Sequence, residues 1–181
     1  MKIYLHIILY IMKKYLSILN KRYYNTKTYF PTIESVDKAY LNINSVFKPT
    51  PLEFHEGLSE KYEAIISLKK ENESVVRSYK NRGAYNKMSS LTNKNGIVTC
   101  SAGNHAQGVA YSCNKLMIPG DIFMPKITTK QKIDKVKKFG GKYVNIFLEG
   151  ANFDESFDIA NNYSLKSKKE FIHPFDDKKV I

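Results

Sequence analysis

Apolar and polar positions follow a regular alternation of strand-like and helix-like segments along the second half of the chain. Apolar runs that are typical of buried strands occur at residues 96–100, 122–125, 143–148 and 170–173. Segments predicted to be helical separate them, at residues 106–111, 128–139 and 152–165. This alternation predicts an α/β fold in which parallel strands form a sheet with flanking helices and right-handed crossovers.

The first half of the chain is less regular, although it too predicts helices and a strand. Apolar residues at helical spacing over residues 36–43 indicate one helix, and residues 64–71 have the composition of a strand that ends in charged residues. Residues 80–91 form a predicted helix for which Ser78 is a suitable N-cap. Lys80 would then lie in the first turn of a helix that follows a strand. In open α/β folds, ligands collect at that end of the sheet.

The neighbours of Lys80 favour chemistry at its amine. It lies between the aromatic Tyr79 and an Arg-Gly-Ala run, in which Gly83 and Ala84 carry so little side chain that another group can approach the backbone. A lysine desolvated in such a place has a lowered pKa, and its free amine can form an imine with an aldehyde. The alternative is a solvated lysine on a basic helix, which is the common situation for lysine.

A second candidate site follows the strand at residues 96–100. The chain turns sharply through Ser-Ala-Gly-Asn-His at residues 101–105 and continues as a helix. A strand, a turn of small residues and a helix N-terminus together form an anion site, because unpaired N–H groups and the positive helix end point at one place. The turn suits a carboxylate or a phosphate. Taken alone it indicates little, since many such turns bind nothing.

Composition permits a folded core and gives no sign of a metal site. Hydrophobic residues make up 43% of the 181 residues, with 13 tyrosines and 10 phenylalanines, which is enough to build a core. The two cysteines, Cys100 and Cys113, form no disulfide framework and have no paired metal-ligand spacing. We expect two buried or half-buried thiols in a reducing compartment, and no metal.

The net charge of +12 is concentrated at one end of the chain. Residues 1–33 hold six lysines and arginines and no acidic residue, so this segment accounts for six of the twelve net charges. The remaining excess is scattered lysine without an arginine-rich or aromatic-interleaved stripe. Solvated surface explains this distribution better than a nucleic-acid partner, and we predict no nucleic-acid binding.

Residues 1–33 have the composition of a targeting leader. The segment is basic, amphipathic and free of acidic residues, as organelle transit peptides are, and the organelle would be a mitochondrion or a plastid. Its apolar run at residues 3–12 is too short for a stable membrane span. A secretory signal fits less well because no small-residue cleavage site follows. The alternative is a surface helix that carries no targeting signal, in which case the protein would be cytoplasmic.

Longer motifs carry a resemblance to a known family. Residues 69–72, 78–84 and 101–110 resemble, in this order, motifs of the threonine dehydratase (threonine deaminase) family. These are pyridoxal-phosphate enzymes of fold type II, which is tryptophan synthase beta-like, and they are related to serine racemase and serine dehydratase. The resemblance extends over most of residues 34–181. It implies that residues 34–93 begin the large domain, that residues 94–172 form a nearly complete small α/β domain, and that residues 173–181 start the return to the large domain.

The resemblance also implies roles for single residues. Lys80 matches the lysine that holds pyridoxal 5'-phosphate as a Schiff base. Tyr79 matches an aromatic residue beside the cofactor ring, and Asn104 matches the asparagine that contacts the ring hydroxyl. The turn that holds the substrate carboxylate would comprise Ser101, Gly103, Asn104 and His105. This agrees with the anion site inferred from the helix N-terminus.

The implied reaction is elimination from an amino acid. Family members convert L-threonine to 2-oxobutanoate and ammonia, the first step of isoleucine biosynthesis, and serine would give pyruvate by the same path. Racemases of the group carry a serine where this chain has Ala102. That serine serves as acid and base on the second face of the substrate. Alanine at this position therefore favours a dehydratase over the alternative, a serine racemase-like enzyme. The resemblance further implies a homo-oligomer for full-length members.

Part of the family's cofactor site has no counterpart among the 181 residues. The glycine-rich loop that wraps the cofactor phosphate, and the serine or threonine that faces the pyridine nitrogen, would follow Ile181. We expect the amino-terminal part of a threonine dehydratase, with the large domain truncated. The alternative is a non-catalytic remnant or a subunit-binding fragment. Retention of Lys80 together with the turn at residues 101–108 favours the first hypothesis, since a remnant has no physical reason to keep both.

Overall fold

The computed structural model describes residues 29–93 and 95–181. The predicted leader at residues 1–33 falls almost entirely on residues 1–28, which lie outside the described residues. No helix within the described ranges is long and apolar enough to cross a membrane. Pro31–Ile181 form one compact unit.

The first part of this unit combines helices with a small antiparallel ribbon. Its elements are helix α1 (Ile33–Ile43), strand β1 (Leu52–Phe54), helix α2 (Glu56–Lys61), strand β2 (Ser67–Lys69) and helix α3 (Lys80–Ser89). The predicted helix at residues 36–43 is confirmed as part of α1. Thr32 caps α1, because its hydroxyl accepts from the backbone N–H of Ser35 at 3.2 Å.

The strand expected at residues 64–71 differs from its prediction. Only β2 is extended, and it pairs antiparallel with β1 instead of joining the parallel sheet. Residues 71–73 form a short 3₁₀ helix, so Lys80 does not directly follow a strand of the main sheet. Every residue of β1 is exposed, and the strand is only three residues long, so its pattern is too short to reveal the pairing.

The second part confirms the α/β prediction. Its elements are strand β3 (Ile97–Cys100), helix α4 (Asn104–Leu116), strand β4 (Gly120–Met124), helix α5 (Lys130–Gly140), strand β5 (Val144–Leu148), helix α6 (Phe153–Ser167) and strand β6 (Glu170–Phe171). The four strands are parallel and lie in the order β5–β4–β3–β6. Strands β3 and β4 are buried at every position, which explains why they are mostly apolar. Their polar residues are paired: Thr99 donates to the Ile172 carbonyl, and Asp121 pairs with Lys169.

The helices cover both faces of the sheet. Ile122 and Met124 of β4 pack against α4 and α5. The residue between them, Phe123, points to the opposite face, where it packs with Ala160 of α6. Successive side chains of a strand alternate between faces, so the same short strands supply both halves of the core.

The strand order places a topological switch point beside β3. After β3 the chain moves outward through β4 to β5, and it then returns across the sheet to place β6 on the other side of β3. The carboxyl ends of β3 and β6 are therefore neighbours, while the helices that follow β3 and precede β6 cover opposite faces. In open α/β sheets, ligands bind in the crevice at this position.

Candidate functional site

The turn after β3 presents bare backbone at the switch point. The N–H of Ser101 donates to the Phe123 carbonyl at 3.0 Å, and the Ser101 hydroxyl accepts from the N–H of Gly103 at 3.2 Å. A Cβ built on Gly103 would meet no atom within 4 Å, so this residue faces open space. Helix α4 begins at Asn104 without a side-chain cap. The N–H groups of its first turn are thus available to an anion.

The imidazole of His105 is turned into the protein. This side chain is 3% exposed, and its Nε2 lies 3.2 Å from the carbonyl oxygen of Ile172, just after β6. Because that partner is an acceptor, Nε2 carries the proton and Nδ1 is an unprotonated acceptor. Nδ1 is buried and has no hydrogen-bond partner among the described residues. Burial lowers the pKa of His105 from 6.5 to about 4, so the ring is neutral at neutral pH.

The Ile172 carbonyl ties the ends of the two neighbouring strands together. It accepts from the buried hydroxyl of Thr99 at 2.8 Å as well as from His105. The N–H of Ile172 donates to the Val98 carbonyl at 2.8 Å and extends the ladder beyond β6. The turn after β3 and the segment after β6 therefore form one rigid corner.

Helix α3 brings Lys80 to this corner because it packs very closely on α4. A Cβ at Gly108 would lie 2.9 Å from both the Cα and the N of Asn81, and 3.1 Å from the carbonyl carbon of Lys80. Only glycine allows this separation between the two backbones. The predicted N-cap Ser78 is one residue too early, since Tyr79 holds the cap position. The Ser78 hydroxyl accepts from the N–H of Lys80 at 3.4 Å.

The amine of Lys80 is enclosed by the segment that follows β6. Its Nζ donates to the Pro174 carbonyl at 2.7 Å. The ring centroids of Tyr79 and Phe175 lie 5.5 Å and 5.1 Å from Nζ. Burial lowers the pKa of Lys80, because a charged ammonium loses hydration in this place. A larger fraction of free amine results, which is the form that reacts with an aldehyde.

The structure brings most of the predicted site residues to the same corner. Lys80 lies close enough to His105 for its charge to contribute to the lowered pKa of that imidazole. Ser101 and Gly103 form the turn itself. Asn104 is exposed at the first position of α4, and Tyr79 is 60% exposed with its ring beside the lysine amine. The individual roles given to these residues stay predictions.

The sequence did not reveal the part played by residues 172–175. This segment supplies the carbonyl oxygens of Ile172 and Pro174 and the ring of Phe175, all of which contact predicted site residues. A usable signal was present: His-Pro-Phe comes directly after a predicted strand, at the carboxyl end where ligands collect.

A cavity of about 320 Å³ borders Asn81 and Arg82, and Phe47 and Tyr111 also line it. Neither Lys80 nor the turn at residues 101–105 lines it, so we do not include it in the site. Within residues 29–93 and 95–181, no group of three or more His, Cys, Asp or Glu side chains is arranged to hold a metal ion.

The switch point brings together a partly desolvated lysine amine and an anion site at a helix end. This combination suits an enzyme that binds an anionic aldehyde covalently. The sequence pattern of one such family, the pyridoxal-phosphate dependent enzymes, matches residues 43–181. The chain belongs to this family.

Two bacterial relatives within this family are similar to the chain over most of its length. The biosynthetic L-threonine dehydratase of Halalkalibacterium halodurans is 50% identical over 152 residues, which cover 82% of this chain and 37% of that enzyme. The enzyme of the same name from Bacillus subtilis is 46% identical, with coverages of 82% and 36%. The chain therefore spans little more than a third of the length of these relatives.

Solved structures agree on the fold. The processed form of threonine deaminase isoform 2 from Solanum lycopersicum is 36% identical with a TM-score of 0.73, covering 85% of this chain and 44% of that chain. Maize serine racemase is 26% identical with a TM-score of 0.76, and the coverages are 84% and 46%. Both likenesses confirm the predicted fold class, with a parallel sheet and flanking helices.

The residues at the corner fit the family's cofactor. Pyridoxal phosphate offers an aldehyde, for which Lys80 holds a partly desolvated amine with a lowered pKa. Gly103 leaves open space where any other residue would project a Cβ, and the start of α4 directs N–H groups to an anion. When bound, the cofactor supplies an electron sink for the α-carbon of an amino acid.

Proposed function

We propose that this chain carries the amino-terminal part of a threonine dehydratase, which deaminates L-threonine to 2-oxobutanoate and ammonia. One observation carries the proposal: the Lys80 amine and the bare turn at residues 101–105 meet at the same switch point. An amino-acid substrate needs both: a lysine amine that its own amino group can replace at the cofactor, and a site that binds its carboxylate. The names of the bacterial relatives support threonine as the substrate and isoleucine biosynthesis as the role.

The residue roles follow from the geometry together with the family likeness. Lys80 holds the cofactor and, as a free amine, takes the proton from the substrate α-carbon. Tyr79 lies beside the ring, and Asn104 faces the ring hydroxyl. Ser101 and Gly103, with the backbone N–H groups of Asn104 and His105, receive the carboxylate. The imidazole of His105 points to Ile172 instead, so its contribution to carboxylate binding is through its backbone.

Ala102 supports a dehydratase over a racemase-like enzyme. Its methyl group offers no hydroxyl that could exchange a proton on the second face of the substrate. One-sided proton transfer leads to loss of the β-hydroxyl rather than to inversion. Serine is a second substrate that the same turn and lysine would accept.

The domain division stays a proposal, and contacts of residues 173–181 support it. Lys87 of α3 pairs with Asp177 at 3.0 Å, and the Asn86 amide donates to the Lys179 carbonyl at 2.9 Å. The carbonyl of Val180 lies where a Cβ of Gly83 would be. The last residues thus return to the segment 34–93, as expected for a chain that re-enters a large domain. A homo-oligomer of the full-length protein and an organelle address in residues 1–33 also stay predictions.

Lys80→Ala tests the proposed function. We expect the wild-type chain, incubated with pyridoxal phosphate, to gain absorbance at roughly 410–430 nm that the variant lacks, because Lys80 is the lysine whose amine is held at the site with a lowered pKa. Borohydride reduction followed by peptide mass spectrometry should place the adduct on Lys80. Lys132→Ala, at an exposed lysine of α5, is the matched control and should keep the absorbance. Identical spectra for the wild type and Lys80→Ala would contradict the proposal.

A further inference from the structure

His173 organises the tight turn that follows β6. Its Nδ1 accepts two backbone hydrogen bonds, from the N–H of Phe175 at 3.1 Å and from the N–H of Asp176 at 2.7 Å. An imidazole nitrogen that accepts two N–H groups is unprotonated, so the proton of the neutral ring is on Nε2. Burial lowers the pKa of His173, against the opposing effect of Asp176 and Asp177. The acceptor form therefore persists at neutral pH.

This turn is anchored where it leaves β6. The Ile172 carbonyl is held by Thr99 and His105. The ring of the next residue, His173, packs edge-on against Phe157 of α6, with 5.5 Å between ring centroids. These contacts fix the start of the turn, and the two hydrogen bonds to Nδ1 hold the residues that follow.

The turn carries the groups that surround the amine of Lys80. The Pro174 carbonyl accepts from Nζ at 2.7 Å, and the Phe175 ring lies 5.1 Å from Nζ. Both residues are within two positions of His173, and the N–H of Phe175 is itself one of the two donors to its imidazole. Loss of the Nδ1 acceptor would leave these exposed N–H groups to water and would remove the hydrogen bonds that keep the carbonyl and the ring in their places.

We propose that His173 is a positioning residue for Lys80: its imidazole fixes the turn at residues 173–176, which holds the ε-amino group at the switch point. The inference rests on the proposed function in assigning chemistry to Lys80. Whenever the amine is not joined to the cofactor, the Pro174 carbonyl orients it and the Phe175 ring covers one side of it. The free base is then kept beside the place where the α-carbon of a substrate would lie.

A pair of substitutions separates the acceptor of His173 from its ring. His173→Asn keeps a side-chain oxygen that accepts backbone N–H groups two residues on, as asparagine does in Asx turns, but it removes the aromatic ring. His173→Phe keeps a ring that can pack on Phe157 and removes the acceptor. Phe175→Leu is a third variant that leaves the turn intact and removes only the cover over Nζ.

The readout is the titration of Lys80 in the full 181-residue chain. Each variant is acylated with acetic anhydride between pH 6 and 11, and mass spectrometry of the Lys80 peptide gives the labelling rate at each pH. Exposed lysines of α5, such as Lys132, report reagent activity in the same sample. The other charged and titratable groups near the turn are unchanged in all variants: His105 of α4, Asp176, Asp177, and Lys87 of α3, which pairs with Asp177.

We expect His173→Phe and Phe175→Leu to raise the midpoint of the Lys80 labelling curve above that of the wild type, because the amine regains water. His173→Asn should keep the wild-type midpoint. The inference is overturned if both His173 variants match the wild type, or if His173→Asn shifts as far as His173→Phe. Wild-type behaviour of Phe175→Leu would also overturn it.

A parallel sample separates this inference from the proposed function. Each variant is incubated with pyridoxal phosphate, reduced with borohydride and digested. If the wild type forms no adduct on Lys80, the proposed function fails, while the acetylation curves still decide whether His173 positions the amine. If the adduct forms and the curves do not move, the proposed function stands and the role of His173 is wrong.

Discussion

Gly108→Ala is expected to destabilise the chain by about 2 kcal/mol and to move Lys80 away from the turn after β3. The added methyl group would lie 2.9 Å from the Cα and N of Asn81, and these are backbone atoms that no rotamer change can relieve. Helices α3 and α4 must separate to accept it. Chemical denaturation should show the loss of stability, and the labelling midpoint of Lys80 should rise as the amine regains water.

Gly57→Ala is the matched control, because it makes the same chemical change in another helix. A Cβ at Gly57 meets only the His55 ring, at 3.9 Å, so α2 accepts the methyl group without strain. Alanine favours a helix over glycine by roughly 0.5–1 kcal/mol, and we expect a small gain in stability. Equal effects of the two substitutions would show that the close approach at Gly108 does not position the lysine.

The sequence predicted the parallel α/β arrangement because local patterns determine it. Strands β3 and β4 are buried at every position, and a strand buried on both faces needs a mostly apolar run that is visible in one chain. The order of the strands is different. Nothing in the residues of β6 states that it pairs with β3 and not with β5, because pairing depends on contacts between residues more than 70 positions apart. Local sequence patterns therefore could not predict the switch point.

Some residues of the candidate site could likewise be predicted from local patterns, and others could not. Lys80 and the turn at residues 101–105 were found through their own residue types and through the family motifs. The role of residues 172–175 was missed, because Pro174 acts through its backbone carbonyl, which every residue possesses. The direction of the His105 side chain was equally hidden: a motif predicts a histidine in a turn, but only the neighbouring strand shows that its ring binds Ile172. Tertiary contacts thus decide whether a motif residue contributes its side chain or its backbone to the site.

The corner also shows how one set of contacts serves stability and chemistry. The Ile172 carbonyl is buried and would be costly to leave unpaired, so Thr99 and His105 stabilise the fold by donating to it. The same contacts fix the turn after β3 relative to the segment that encloses the Lys80 amine. A substitution at His105 should therefore be visible in stability measurements that need no cofactor and no substrate.

Acid is expected to destabilise the wild-type chain by about 3 kcal/mol more than His105→Gln between pH 6.5 and 4. The folded-state pKa of His105 is about 4, against 6.5 for an ordinary histidine, so the unfolded chain binds the proton first as the pH falls. The stability from a neutral His105 is complete above pH 6.5 and is lost as the pH falls towards 4. A difference of about 2.5 units corresponds to roughly 3 kcal/mol.

Glutamine is the informative replacement because its amide can donate to the Ile172 carbonyl but does not titrate in this range. Urea unfolding of both proteins at pH 7, 6, 5 and 4 gives the difference in unfolding free energy at each pH. His173, whose pKa burial also lowers, is present in both proteins, so its contribution cancels in the difference. The carboxylates cancel in the same way. A difference that stays constant from pH 7 to 4 would mean that His105 is already accessible to protons in the folded chain, and that its ring does not bury an unprotonated Nδ1 beside the turn.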